Sequence, residues 1–232
     1  TTDSLAYVST ASEGVYRTTD GGSNWLRPGF SGMTDMKTIG IAVSPGNADE
    51  VFTWTVGTVF RSTTSAKSWA ERVSGIASAG KMTELALSPA YGSDGTAFIG
   101  TLADGVYRTT DSGGTWTSVA LNASGAIQGL APSPNFGRDS TLFAATATGG
   151  VFRSTDSGAT WVAVNTGLTG SNFDQLAVSN NYFTDQTLFT GSVTGVLYKS
   201  TDAGAGWSSV GSGIANARIA GVGFSSTYAT DS

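Results

Sequence analysis

An all-β fold built from five copies of one four-stranded unit is predicted by three observations. A motif of twelve or thirteen residues recurs at 14–25 (GVYRTTDGGSNW), 105–116 (GVYRTTDSGGTW), 150–161 (GVFRSTDSGATW) and 195–207 (GVLYKSTDAGAGW), with a worn copy at 57–69 (GTVFRSTTSAKSW). The closing tryptophans Trp25, Trp69, Trp116, Trp161 and Trp207 fall 44, 47, 45 and 46 residues apart. Two further strand-like segments separate successive copies. A fixed period of this length marks a repeat array, in which each unit buries its apolar face against the next. Four-stranded units arranged radially make a β-propeller, here one of five blades.

Each unit has strands A to D in order. Strand A is 39–44 (IGIAVS), matched by 83–88, 128–133, 174–179 and 220–225. Two residues before its final Ser stands Ala42, Ala86, Ala131, Ala177 or Gly223; three before stands Ile41, Leu85, Leu130, Leu176 or Val222. A strand that is small on one face and aliphatic on the other suits the crowded inner position of a blade. Strand B (51–55, 96–101, 141–146, 187–192) follows a turn carrying Asp94, Asp139 or Asp185, residues that favour turns by bonding their own backbone. Strand C is the alternating Val-Tyr-Arg-Thr segment, which reads as half-buried. An Asp-x-Gly turn follows, in which Gly113 supplies the positive φ of a tight hairpin. Trp116 then opens strand D and drives an indole into the core, contributing roughly 1.5–3 kcal/mol when fully buried.

The pattern Ser/Thr-x-Asp-x-Gly-x-x-Trp is met at 18–25, 109–116, 154–161 and 200–207. At 62–69 it fails twice, with Thr64 in place of Asp and Ala66 in place of Gly. It resembles the Asp box of the BNR-type, sialidase-like β-propeller repeats, in a compact form similar to bacterial surface and assembly-factor modules. The resemblance implies a structural role for Asp20, Trp25, Asp111, Gly113, Trp116, Asp156, Gly158, Trp161, Asp202, Gly204 and Trp207, which stabilise the hairpins. Calcium at the Asp residues is the alternative reading; no cofactor or metal is expected. Arg17, Arg61, Arg108 and Arg153, with Lys199, are one repeat position copied from blade to blade and read as structural.

The termini fit a shared blade. Residues 219–225 form an A strand with nothing after it, whereas 5–10, 14–18 and 25–29 supply B, C and D with no A before them. The ends overlap, since 230–232 and 2–4 both read Thr-Asp-Ser. A single domain over 1–232 is expected, with blades at 219–232 joined to 1–30, 37–73, 81–120, 126–165 and 172–211. Strand exchange between chains, giving an oligomer or filament, or a larger parent ring would use the same edges. The chain begins Thr1-Thr2-Asp3-Ser4, with neither an initiator Met nor a signal peptide, and reads as a processed or excised product.

Composition narrows the function. The chain has no Cys and no His, which removes the usual zinc, copper and haem ligand sets, disulfides, and Ser–His or Cys–His catalysis. Net charge is −5 without a basic run, so neither nucleic acid nor an anionic membrane is an expected partner. No apolar run approaches the length of a membrane span. The Ser/Thr/Gly-rich, Lys-poor profile resembles exported bacterial surface proteins, and an extracellular or cell-surface location is expected. A lone sequon, Asn122-Ala123-Ser124, lies in a D–A loop and carries little weight.

Specific function should lie where repeats differ, at the end formed by the B–C and D–A loops. Trp54 stands where the other blades have Ser9, Gly100, Ala145 and Gly191. Lys37, Lys81 and Arg218 share one register at the start of the inner strands. Glu84, Gln128, Asp174 and Gln175 follow just below, and the B–C loops add Glu13 and Asp104. These residues suggest either a solvated channel mouth with an indole filling a gap, or a small polar pocket with one aromatic platform for a glycan. The Asp-box resemblance also implies an enzyme, because sialidases carry the motif. The arginine triad and the Phe-Arg-Ile-Pro type motif of that family are absent, and an acid–base pair could come only from Glu13, Glu84, Asp104 or Asp174. The expectation is therefore a non-enzymatic structural or interaction module binding protein or carbohydrate, with a glycoside hydrolase-like enzyme as the alternative.

Overall fold

The computed structural model describes residues 4–77, 81–119, 121, 125–170, 172–212, 214, 218–225 and 228. The fold is all-β: five antiparallel sheets follow one another along the chain as the blades of a β-propeller. Blade I holds β1 (Ala6–Thr10) and β2 (Gly14–Thr18), extended by a bridge from Arg17 to Leu26. Blade II is β3 (Gly40–Ser44), β4 (Asn47–Trp54), β5 (Val59–Ser62) and β6 (Ala70–Glu71). Blade III is β7 (Met82–Leu87), β8 (Ala97–Thr101), β9 (Val106–Thr109) and β10 (Thr117–Val119). Blade IV is β11 (Ile127–Pro132), β12 (Leu142–Thr146), β13 (Gly150–Ser154) and β14 (Val162–Ala163). Blade V is β15 (Phe173–Val178), β16 (Leu188–Ser192), β17 (Leu197–Ser200) and β18 (Ser208–Val210). Within blades II to V the strands pair in sequence order, so short hairpins suffice to connect them.

The turns entering strand B are tighter than the sequence suggested. Each is one helical turn, α1 (Tyr91–Asp94), α2 (Phe136–Asp139) or α3 (Tyr182–Asp185), closed by a left-handed residue. The Asp locks it: Ser88 Oγ donates to Asp94 Oδ2 at 2.6 Å, and the Thr96 N–H donates to Asp94 Oδ1 at 2.7 Å. The aromatic at the head of each turn packs edge-on against a strand-B phenylalanine of the preceding blade, as Phe52–Tyr91, Phe98–Phe136 and Phe143–Tyr182. The signal Ser-x-x-aromatic-x-x-Asp was present in the sequence, but its use as an inter-blade contact was not legible from one unit.

The Asp-x-Gly turns of blades I, III, IV and V are bonded alike, with Asp20 Oδ1 accepting from Thr18 Oγ1 at 2.7 Å and from the Asn24 N–H at 2.9 Å in blade I. Asp111 Oδ1 accepts from Thr109 Oγ1 at 2.7 Å and from the Thr115 N–H at 2.8 Å, while Oδ2 accepts from Thr115 Oγ1 at 2.8 Å. These donors stabilise the anion and hold the Asp111 carboxyl down at about 2. Asp156 is held at about 2 and Asp202 is lowered by the same kinds of bond. In the worn copy of blade II, the Thr64 hydroxyl takes over part of the role and accepts the Ser68 N–H at 3.0 Å. We expect Asp111→Ala to lower stability by on the order of 1 kcal/mol, since the group is largely exposed to water. The depressed carboxyl contributes above its unfolded pKa near 3.8 and loses that contribution as pH falls through about 2. Variant and parent melting curves should therefore differ at pH 7 and converge near pH 2.

The joints between blades use the box residues again. Trp116 N–H donates to Ser74 O at 2.8 Å and its indole Nε1 to Arg72 O at 3.0 Å, both on the preceding blade. Trp207 repeats this on Thr166 O and Val164 O, each at 2.8 Å. The copied arginines are clamps: Arg17, Arg108 and Arg153 donate to the box-turn carbonyls of Ser65, Ser157 and Ala203 on the following blade, at 2.9–3.0 Å. Arg61 differs, pairing with Glu50 at 2.7 Å.

The termini show the largest departure from the sequence reading. Residues 218–225 carry no strand assignment, and β1 is hydrogen-bonded in its sheet to β2 alone. The overlapping ends at 1–3 and 229–232 and the sequon lie outside the described residues. Trp25, grouped with the buried box tryptophans, is 42% exposed, where Trp116 and Trp207 are 2% and 5%.

Candidate functional site

The end formed by the B–C and D–A loops is built on the inner strands. In blades III, IV and V the inner strand is bulged at Thr83, Gln128 and Asp174, where the ladder skips from Met82 to Glu84 and equivalently in the other two. A bulge releases one residue from the pairing and re-aims its side chain, which is why these positions lie at the mouth and not in the regular sheet. The B–C loops are held by a threonine: Thr101 Oγ1 donates to Gly105 O at 2.9 Å and accepts the Asp104 N–H at 2.9 Å. Thr10 does the same for Gly14 and Glu13 at 3.0 Å. Glu13 and Asp104 are thereby fixed at the same exposed point of their loops.

The candidate residues do not converge. Lys37, Lys81 and Asp104 are exposed. Arg218 Nε pairs with Asp174 Oδ2 at 2.6 Å, and this carboxylate is buried with Oδ1 lacking a hydrogen-bond partner among the described residues. Glu13 accepts the Tyr16 hydroxyl, a bond that raises the Tyr16 pKa. Arg27 donates to the Glu13 carbonyl at 2.8 Å and lies over the Phe30 ring at 4.3 Å. Trp54 is 5% exposed and packs with Met82 and Leu85 of blade III, its ring against Gly40. The indole fills the joint between blades II and III, so no face of it is presented to a ligand. Gly40 makes room for it, as a Cβ there would lie 2.1 Å from the ring.

Glu84 is the unusual group. It pairs in register with Gly100, whose missing side chain would meet Ile127 of blade IV, so Glu84 belongs to the face turned toward that blade. Burial pushes its carboxyl up to about 7, against a hydrogen bond from the Leu85 N–H that lowers it. A carboxyl that titrates near neutral pH is suited to proton transfer, yet this one stands between blades. Among the described residues there is no cluster of three or more acidic side chains that could hold a metal ion. Nor is any helix there long and apolar enough to cross a membrane.

No family model matches the chain, and no curated protein does. Solved structures do. An ancestral GH74 enzyme superposes with a TM-score of 0.72 at 18% identity, covering 93% of this chain and 30% of that one. The shared fold is the β-propeller. The GH74 xyloglucanase from Xanthomonas campestris gives 0.68 at 20% identity, over 90% of this chain and 36% of its own. YCF48 bound to D1 peptide gives 0.62 at 19% identity, over 89% and 64%. The chain thus spans about a third of the GH74 enzymes and under two thirds of the YCF48 chain.

Proposed function

We propose that this propeller is a non-catalytic interaction module that binds a polypeptide at the end carrying the B–C and D–A loops. The observation behind this reading is the contrast between the two ends. On the Asp-box rim the carboxylate oxygens are occupied by donors of their own turns. At the other end Lys37, Lys81 and Asp104 are exposed and make no ion pair among the described residues. Unneutralised charges of both signs favour a partner with complementary charge. A surface or extracellular setting is consistent with the Cys-free, Lys-poor composition. The peptide complex of the YCF48 neighbour supports a protein partner over a glycan.

A second reading, a glycoside hydrolase, is favoured by the GH74 neighbours and by the raised Glu84 carboxyl. It needs a second carboxylate across a substrate-sized gap from the first. Two assays separate the readings. Acidic fifteen-residue peptides should bind the parent protein and bind Lys37→Glu/Lys81→Glu at least about tenfold more weakly, a loss of about 1.4 kcal/mol, with unchanged melting. Incubation with xyloglucan should release no reducing ends. Turnover that is lost in Glu84→Gln or Asp104→Asn would replace the binding reading with the enzymatic one.

A further inference from the structure

An Asp-Gly pair carries a reaction of its own. Glycine has no side chain to shield its nitrogen, so that nitrogen can reach the preceding Asp carboxyl and close a five-membered imide. The chain has three such pairs, at 20–21, 94–95 and 104–105. Ring closure needs a carboxyl free to rotate and an amide N–H that no acceptor holds.

Two of the pairs meet neither condition. Asp20 is held on both oxygens, Oδ1 by Thr18 Oγ1 and the Asn24 N–H, and Oδ2 by Asn24 Nδ2 at 2.7 Å. The Gly21 N–H donates to Ser4 O at 3.1 Å. Asp94 is likewise held on both oxygens, by Ser88 Oγ at 2.6 Å and the Thr96 N–H at 2.7 Å. The Gly95 N–H donates to Tyr91 O at 2.8 Å. In each, attack would first have to break the bonds that shape the turn.

Asp104 differs on both counts. It lies at the tip of the B–C loop of blade III, where Leu102, Ala103 and Asp104 are all exposed. The base of this loop is tied to Thr101: the hydroxyl accepts the Asp104 N–H at 2.9 Å, and the Thr101 N–H and hydroxyl donate to Gly105 O at 3.0 and 2.9 Å. These bonds leave out the Asp104 carboxylate and the Gly105 N–H, and neither group has a hydrogen-bond or ion-pair partner among the described residues. At the matching point of blade I the acid is Glu13, one methylene longer, and the Gly14 N–H is taken by Met36 O at 3.0 Å.

We propose that Asp104–Gly105 is a site of spontaneous isomerisation to isoaspartate, and that hydrogen bonding protects the other two Asp-Gly pairs. The Gly105 nitrogen attacks Asp104 Cγ and a new N–Cγ bond forms. A carboxyl oxygen leaves as water, taking the proton from that nitrogen. Water then adds back to the imide. Addition at Cγ breaks the new bond and restores aspartate. Addition at the main-chain carbonyl breaks the original peptide C–N bond and leaves the chain running through Cβ. The sum is one water lost and one gained, with no oxidant, reductant or cofactor. The product has one more carbon in its main chain and its carboxylate directly on Cα, so the charge at the loop tip is displaced. The reaction needs only the loop and water, and does not depend on the binding role proposed above for this end.

The test is incubation of the full chain in water enriched in oxygen-18 near neutral pH, then proteolysis in ordinary water and fragmentation of the peptides. In the folded protein, heavy oxygen and an isoaspartyl linkage should accumulate at Asp104 while Asp20 and Asp94 stay unlabelled. In denaturant the three pairs should label at similar rates. Asp104→Glu keeps the charge and should show no label at 104, because its ring would be six-membered and closes far more slowly. An unlabelled Asp104 in the folded protein overturns the proposal, as does labelling of Asp20 or Asp94 at the same rate. A preference for Asp104 that persists in denaturant would trace the selectivity to sequence and overturn the protective role of the fold. Heavy oxygen at position 104 in Asp104→Glu would show exchange by another route, and the imide would be abandoned.

Discussion

Gly75→Ala is expected to destabilise the protein by about 2–5 kcal/mol, combining left-handed strain of about 1–2 kcal/mol with overpacking of about 1–3 kcal/mol. Gly75 has φ +88°, and an added Cβ would lie 2.1 Å from Trp116 O and 3.1 Å from its carbonyl carbon. Those are backbone atoms, themselves fixed by the Trp116 N–H bond to Ser74 O, so no rotamer change relieves the clash. Gly46→Ala is the control. Gly46 also has a positive φ, +78°, but a Cβ added there would meet nothing within 4 Å. It should lose only the strain, about 1–2 kcal/mol. Chemical denaturation of both variants measures the difference. Equal losses would mean that the tight seating of tryptophan on glycine does not hold blades II and III together.

Glu84→Gln is expected to stabilise the protein at pH 8 by up to about 3 kcal/mol and to leave it nearly unchanged at pH 4, taking about 1.4 kcal/mol per pKa unit. The folded carboxyl titrates at about 7 and the unfolded one near 4.5. A raised carboxyl binds more protons in the folded state, so stability is full below pH 4.5, falls through the interval, and is lost once pH passes 7. Burial is the first cause, and the amide of glutamine fills the same volume without a charge to desolvate. Melting temperatures of parent and variant, measured from pH 4 to 8, should diverge steadily upward. Parallel profiles would show that Glu84 ionises freely in the folded protein, which would also remove its suitability as a proton donor.

What the sequence determined by itself was everything carried within one repeat. The period, the strand order, the Asp-box turns and the Asp94, Asp139 and Asp185 turns follow from short-range chemistry: alternation, a carboxylate next to its own turn donors, a small inner strand. Function-bearing candidates were legible only as departures from the repeat, and their environments were not. Trp54 stood out by its absence from other blades, yet whether it faced water or the next blade depended on Met82 and Leu85, about thirty residues on. Glu84 looked like a channel-mouth carboxylate, and its register with Gly100 turned it toward blade IV. The arginine series read as structural, and the tertiary structure made Arg17, Arg108 and Arg153 clamps on the following blade's turn. Trp25 closes the same motif as Trp116 and Trp207 but differs in exposure, because burial of these tryptophans belongs to the preceding blade. The physical reason is the same in each case. Strand pairing and turns are satisfied inside a unit by residues close in sequence, whereas side-chain burial, and with it pKa and docking, is decided by a neighbour one full period away.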